Sequence, residues 1–235
     1  MKSARAVVGL YRWLLNLCLP PCCVVCGKVE TWLCERCVSQ IPFLGDHICP
    51  RCGRPWLAKG VCHHCLAMPS PVAPIRSAYL YEGPMRDAIH AYKFRGGTSL
   101  TPILAKQMAQ AWESYQMQSD ALIPVPLHPK REAQRGYNQS VLLARELSLV
   151  VNVPVVEDAL VRTRDTASQT HLNREERLTN VAGAFACRTK NRFNGMCVTL
   201  IDDVTTTGAT LHACARALLA YGADKVGAFT LARAA

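Results

Sequence analysis

Residues 198–210, Val-Thr-Leu-Ile-Asp-Asp-Val-Thr-Thr-Thr-Gly-Ala-Thr, hold the side chains best suited to chemistry. Four residues of mostly strand-forming character run into two acids, Asp202 and Asp203. A hydroxyl-rich turn follows, then an apolar helical segment from Leu211 to Tyr221. A strand end that leads into a helix start presents unpaired backbone N–H groups and the positive end of a helix dipole, which together attract an anion. Thr205, Thr206, Thr207 and Thr210 add hydroxyl donors, and Gly208, followed by Ala209, lets the backbone approach the anion closely. Two carboxylates beside a phosphate would repel it, unless they face a polyhydroxylated or metal-bearing part of the same ligand. A ribose 5-phosphate meets both demands, with its phosphate in the loop and its ring hydroxyls on Asp202 and Asp203. An acid at a strand end can also simply cap the next helix, but capping needs one acid and no row of threonines. Neither Gly-x-x-x-x-Gly-Lys nor Gly-x-Gly-x-x-Gly occurs at this junction.

Cysteine carries the second chemical signal. Of 13 cysteines, ten lie between Cys18 and Cys65. Eight of these form Cys-x-x-Cys pairs: Cys23/Cys26, Cys34/Cys37, Cys49/Cys52 and Cys62/Cys65. Gly27 and Gly53 follow the first and third pairs, as in knuckle turns that aim backbone N–H groups at thiolate sulfur. The supply matches two tetrahedral zinc sites of four cysteines each, and a segment with few apolar runs needs such staples to fold. Sequential sites (first pair with second, third with fourth) and interleaved sites both have feasible loops. A disulfide framework would need an oxidising compartment. Cys18 and Cys22 are spare, and His63 and His64 are expected to be exposed. Cys187, Cys197 and Cys214 sit in apolar contexts that suit packing better than nucleophilic chemistry.

The N-terminus argues against export. Lys2 and Arg5 precede an apolar stretch, but Arg12 and Asn16 interrupt it and no small-x-small cleavage site follows. Val7, Leu10, Tyr11, Leu14 and Leu15 repeat at helical spacing, which predicts a short amphipathic helix docked on the protein itself. No run reaches the roughly 18 apolar residues of a membrane span. A cytoplasmic protein is expected. The net charge of +10 invites a nucleic-acid reading, but it is spread evenly. Residues 1–69 carry eight Lys/Arg against three acids, and the remainder carries 19 against 14, so each part is +5. Each Zn2+ held by four thiolates adds about −2, which leaves the cysteine module nearly neutral.

The elements that must position these residues divide near residue 69. Residues 68–74 carry three prolines and read as a stiff linker, giving an expected zinc module at 1–69 and an α/β domain at 70–235. In the second part, strands are predicted at 75–81, 121–126, 153–156, 160–162, 197–201 and 226–231. Helices are predicted at 85–92, 100–115, 141–149 (with Ser140 as its N-cap) and 211–221, the last stopped by Gly222. The prolines of 121–126 put that strand at a terminus or an edge. Alternation of strands and helices implies a mostly parallel sheet with helices on both faces. Ligands then bind beyond the strand C-termini, where residues 202–210 fall.

Two polar stretches complete the set. Residues 124–140 read as a strand end, a basic loop and a helix start, so Lys130, Arg131 and Arg135 would meet a pyrophosphate. Arg162, Arg164, Gln169, Arg174, Arg177 and Asn180 lie on a long polar segment that would close over a bound anion. Arg174 and Arg177 also fit a plain solvated helix face beside Glu175 and Glu176. His128 and His171 read as surface residues.

Residues 198–210 resemble the phosphoribosyl-pyrophosphate (PRPP) motif of type I phosphoribosyltransferases. The order of zinc module, Pro-Val-Pro…Arg-Gly-Tyr-Asn-Gln-Ser block, Arg…Gln…Arg-x-x-Asn block and PRPP motif is similar to the ComF/GntX family, and Tyr92-Lys93-Phe94 also resembles a family segment. The resemblance implies a type I phosphoribosyltransferase-like fold behind a small double zinc ribbon. It implies PRPP as ligand, Mg2+ bound with it, structural Zn2+, and ribose held by Asp202 and Asp203. It also implies a connection with DNA uptake or use rather than one defined acceptor. Any acceptor-selecting hood would come from residues 70–95 or the zinc module. The alternative implied is an accessory protein that binds single-stranded DNA or a helicase-like partner through its zinc module.

Overall fold

The computed structural model describes residues 20–68, 70–94, 97–164, 181, 183–188 and 191–234. The expected N-terminal helix and Cys18 lie outside these residues. Two short helices, α1 (Glu35–Ser39) and α2 (His63–Ala67), follow cysteine knuckles in the N-terminal part. Strand β1 (Ile75–Leu80) then opens the α/β part, followed by helix α3 (Gly83–Phe94) and helix α4 (Thr101–Ser114). Next come β2 (Ala121–Pro124), α5 (Pro129–Arg135) and α6 (Gln139–Val151). The chain continues through β3 (Leu160–Arg162), β4 (Phe185–Cys187), β5 (Cys197–Thr205), α7 (Ala209–Ala220) and β6 (Lys225–Arg233). The parallel sheet is 4-stranded in the order β1-β6-β5-β2, and β3 and β4 form a separate antiparallel ribbon.

Alternation along the central strands sorts side chains between two cores. Ile201, Phe229 and Leu231 face one layer with Leu104, Met108, Trp112, Leu143 and Leu147 of α4 and α6. Val198, Leu200, Val226 and Ala228 face the other, against Leu211, Cys214, Ala215 and Leu218 of α7. Trp112 meets Phe229 edge-on at 5.3 Å between centroids. Helices thus cover both faces, as the alternating pattern required.

Several local expectations change. The predicted strand at 153–156 is reduced to a bridge from Val155 to Leu122 on the outer edge of β2, held by Leu122 N–H to Pro154 O at 2.8 Å and Val156 N–H to Leu122 O at 2.9 Å; Pro154 itself has no N–H to extend the ladder. Strand β4 is only three residues long, too short for a periodic signal in the sequence. The basic loop after β2 is itself the helix α5, started by Pro129 and capped by His128, whose Nδ1 accepts from Lys130 N–H at 3.3 Å. Helix α6 is capped by Asn138, whose Oδ1 accepts from Ser140 N–H at 2.9 Å, which frees the Ser140 hydroxyl for another partner.

The stretch read as a stiff linker is a packed element. Val72 is fully buried, Ala73 N–H donates to Val226 O at 2.9 Å, and Ser70 Oγ lies 2.8 Å from His212 Nε2. The cysteine-rich part lies against the β1 edge. Leu80 N–H donates to Pro42 O at 3.0 Å, and Phe43 stacks on Tyr115 at 6.2 Å.

Candidate functional site

The cysteines resolve into two sequential clusters, Cys23/Cys26/Cys34/Cys37 and Cys49/Cys52/Cys62/Cys65, with the ligand sulfurs of each within 4.8 Å of one another. Zinc–thiolate bonds of about 2.3 Å at tetrahedral angles set sulfurs about 3.8 Å apart. Cys26 Sγ and Cys34 Sγ are 3.6 Å apart, and Cys52 Sγ and Cys62 Sγ 3.7 Å. Backbone N–H groups of Cys34 and Cys62 point at Cys23 Sγ and Cys49 Sγ at 3.5 and 3.4 Å. Burial pushes the Cys23 and Cys49 thiols up, but backbone N–H donors outweigh it and bring each down to about 6. Burial and the neighbouring thiols instead raise Cys37 and Cys65. Both donor sets fit structural, tetrahedral Zn2+. His63 is exposed and packs edge-on against Trp56, and neither His63 nor His64 joins a cluster.

At the other chemical centre, β5 runs through the acids and ends at Thr205, so Asp202 and Asp203 are strand residues rather than turn residues. Asp202 Oδ1 accepts from Ser140 Oγ at 2.9 Å and from Asp203 N–H at 2.9 Å. Asp203 is buried, with Oδ2 2.9 Å from Lys93 Nζ. Burial pulls the Lys93 ammonium down, but the Asp203 charge beside it more than offsets this and holds it above its usual value. Burial, with Asp203 adding repulsion, pushes the Asp202 carboxyl up to about 7, against the opposing pull of Lys93 and Ser140. Beyond the acids, Gly208 adopts φ 80°, a left-handed turn open to glycine, and starts α7. Thr207 Oγ1 accepts from Ala209 N–H at 3.3 Å. Thr205 Oγ1 is buried with no hydrogen-bond partner among the described residues.

The other expected residues divide. Arg135 reaches this corner, hydrogen-bonded to Gln139 Oε1 next to Ser140, with its guanidinium 5.3 Å from the centre of the exposed Phe94 ring. Lys130 is exposed and Arg131 partly exposed, both in the first turn of the helix that ends at Arg135. Arg162 lies 5.4 Å from the Phe185 ring centre and lines a cleft of about 480 Å³ with Asn138, Arg145, Glu157 and Arg188. Arg164 is exposed; Gln169, Arg174, Arg177 and Asn180, with His171, lie outside the described residues. Local sequence announces neither the Lys93 nor the Ser140 contact: Ser140 reads as a helix cap, and Lys93 carries no role in the pattern around it. A lysine flanked by aromatics on a helix with an apolar face was the one available signal for Lys93.

Residues 14–66 match the double zinc ribbon domain, and residues 137–235 match the phosphoribosyl transferase domain. The competence protein ComFC of Bacillus subtilis is 32% identical over 214 residues, covering 88% of this chain and 86% of that protein. The chain belongs to the ComF/GntX family. Other ComF/GntX relatives include the DNA utilization protein YhgH of Salmonella typhimurium, 32% identical over 92% of this chain and 99% of that protein. Competence protein F of Haemophilus influenzae is 31% identical over 86% of this chain and 84% of that protein. No described helix is long and apolar enough to cross a membrane.

Proposed function

We propose that this ComF/GntX chain is a PRPP-binding protein of phosphoribosyltransferase type. It would transfer or sense phosphoribosyl groups in DNA uptake and utilisation or in nucleotide metabolism, in the cytoplasm. The observation that carries the reading is the junction of β5 and α7, where two positioned carboxylates precede a hydroxyl-rich loop with a buried Thr205 hydroxyl that has no partner among the described residues. Residues 205–210 would anchor the 5-phosphate, so that binding energy remote from the reacting carbon positions it. Asp202, fixed by Ser140, would accept ribose hydroxyls.

Transfer breaks the C1–O bond of PRPP. The bonding electrons leave with pyrophosphate, and an acceptor lone pair closes on C1. Positive charge develops on the ring, and Asp202 and Asp203 favour it electrostatically. Lys93 keeps Asp203 balanced beforehand, which makes two adjacent carboxylates tolerable in a buried strand. Arg135, with Lys130 and Arg131 on the same helix, would meet the departing charge. Among the described residues only the cysteine clusters form a group of metal-binding side chains, so these residues offer no dedicated Mg2+ cage. Mg2+ carried by the pyrophosphate fits that arrangement and would neutralise the leaving group when bound.

Calorimetric titration of the zinc-loaded protein with PRPP, with and without Mg2+, tests the reading. The expected result is micromolar, Mg2+-dependent binding that disappears in the Asp202→Asn/Asp203→Asn variant. Equal binding by that variant would remove the acids from the site.

A second reading rests on the second ribbon. Between His47 and Tyr81 the chain carries no acidic residue, and Arg51, Arg54, Lys59 and Arg76 all fall there. Trp56 and Leu57 line an apolar cavity in the same region, a combination suited to stacking and charge contacts with single-stranded DNA. Binding of an oligonucleotide that weakens steeply with salt would support it, and no binding at low salt would remove it.

A further inference from the structure

The second cysteine cluster is built onto the loop read above as the phosphate loop, and three separate contacts join them. First, its knuckle grips the start of β1. Ile75 N–H donates to Arg51 O at 2.9 Å, and a Cβ on Gly53 would stand 2.3 Å from Ile75 O, so only glycine permits this approach. The Ile75 side chain lies on the far side against Gly208, where its Cδ1 would be 3.7 Å from an added Cβ. Second, Arg233, 3% exposed, donates from Nη1 to Cys52 O at 2.8 Å while its backbone is in register with Thr205. The next residue, Ala234, gives its N–H to Thr205 O at 2.9 Å. Third, Arg51 Nη2 donates to Ser70 O at 3.1 Å, and Ser70 Oγ contacts His212 Nε2 in the first turns of α7.

We propose that Arg233, Gly53 and Ser70 are positioning residues of the phosphate loop, and that through them the second cluster's zinc occupancy and anion binding at residues 205–210 are thermodynamically linked. The inference rests on the phosphate-loop reading. Each contact passes through buried backbone or a side chain with a hydrogen-bonded end, so the two parts shift together rather than independently. Linkage is reciprocal: whatever the metal does for the anion, the anion does for the metal. The first cluster instead packs its buried cysteines with apolar residues of the α3 and α4 layer.

The test uses full-length, zinc-loaded protein and ribose 5-phosphate as probe. Zinc release to a chromogenic chelator is followed with and without the sugar phosphate, and the phase missing in Cys62→Ser marks the second cluster. Saturating ribose 5-phosphate is expected to slow that phase by about 5- to 100-fold and leave the other unchanged. Arg233→Met, which keeps all eight ligand cysteines, should weaken ribose 5-phosphate by a similar factor while retaining both zinc ions. Bound ribose 5-phosphate with unaltered zinc release overturns the inference and spares the loop reading. Failure of ribose 5-phosphate to bind the fully metallated protein overturns both. If Cys62→Ser does not fold, hydrogen exchange of the wild-type Ile75 amide decides: added protection on ligand binding supports the linkage, and unchanged protection overturns it.

Discussion

The two cysteine clusters share four-cysteine ligand sets built from Cys-x-x-Cys knuckles, yet they attach to the α/β part by different forces. The first leaves Cys26 exposed and packs Cys23, Leu33, Cys34, Cys37 and Ile41 into the apolar layer of α3 and α4. The second buries all four thiols and joins the sheet through directed hydrogen bonds to Arg76, Ile75 and Arg233. Apolar packing is nondirectional and tolerates small displacements, whereas hydrogen bonds to backbone carbonyls fix position. One cluster therefore adds core, and the other sets the placement of a loop.

The largest expected effect falls on the helix against which the first cluster packs. Lys93→Met strands the buried Asp203 charge and should lower stability by about 3–5 kcal/mol, read by chemical denaturation. Leu33→Ala, at a site 4% exposed, should cost about 2–5 kcal/mol, yet leave ribose 5-phosphate affinity unchanged if the first cluster is an apolar anchor alone. A loss of affinity there would erase the distinction between the clusters.

Asp202 gives an intermediate effect that depends on pH. Its folded value of about 7 lies above the ordinary carboxylate value of about 3.9. The protonated group therefore contributes stability that is fully present below about pH 4 and lost as pH rises through about 7. Asp202→Asn should match the wild type in melting temperature near pH 4 and exceed it at pH 8, while binding PRPP less tightly. Equal melting temperatures at pH 8 would show that the carboxyl is not raised.

The smallest effect sharpens the comparison most. Arg76→Met removes the Nη1 hydrogen bonds to Pro50 O and Ile75 O and should cost about 1–2 kcal/mol. It should nevertheless accelerate zinc loss from the second cluster and leave the first unaltered, measured by release to a chelator.

The sequence alone marked the metal-binding residues, because each Cys-x-x-Cys unit is local and its knuckle chemistry travels with it. The parallel sheet and its two covering layers were legible for the same reason: strand and helix periods can be read over short windows. The acids and the threonine row were contiguous, so their chemistry showed without a fold. Tertiary structure decided which cysteine units come together, since sequential and interleaved loops close at similar entropic cost. It turned residues 70–74 from a spacer into a packed strap, because Val72 and Ser70 find partners on β6 and α7 that no local pattern announces. It also supplied Lys93 to Asp203 and Ser140 to Asp202, contacts made between distant elements by the burial of α3 and α6 against one face of the sheet. A buried charge must find its counter-charge somewhere in the chain, and only the fold chooses which one.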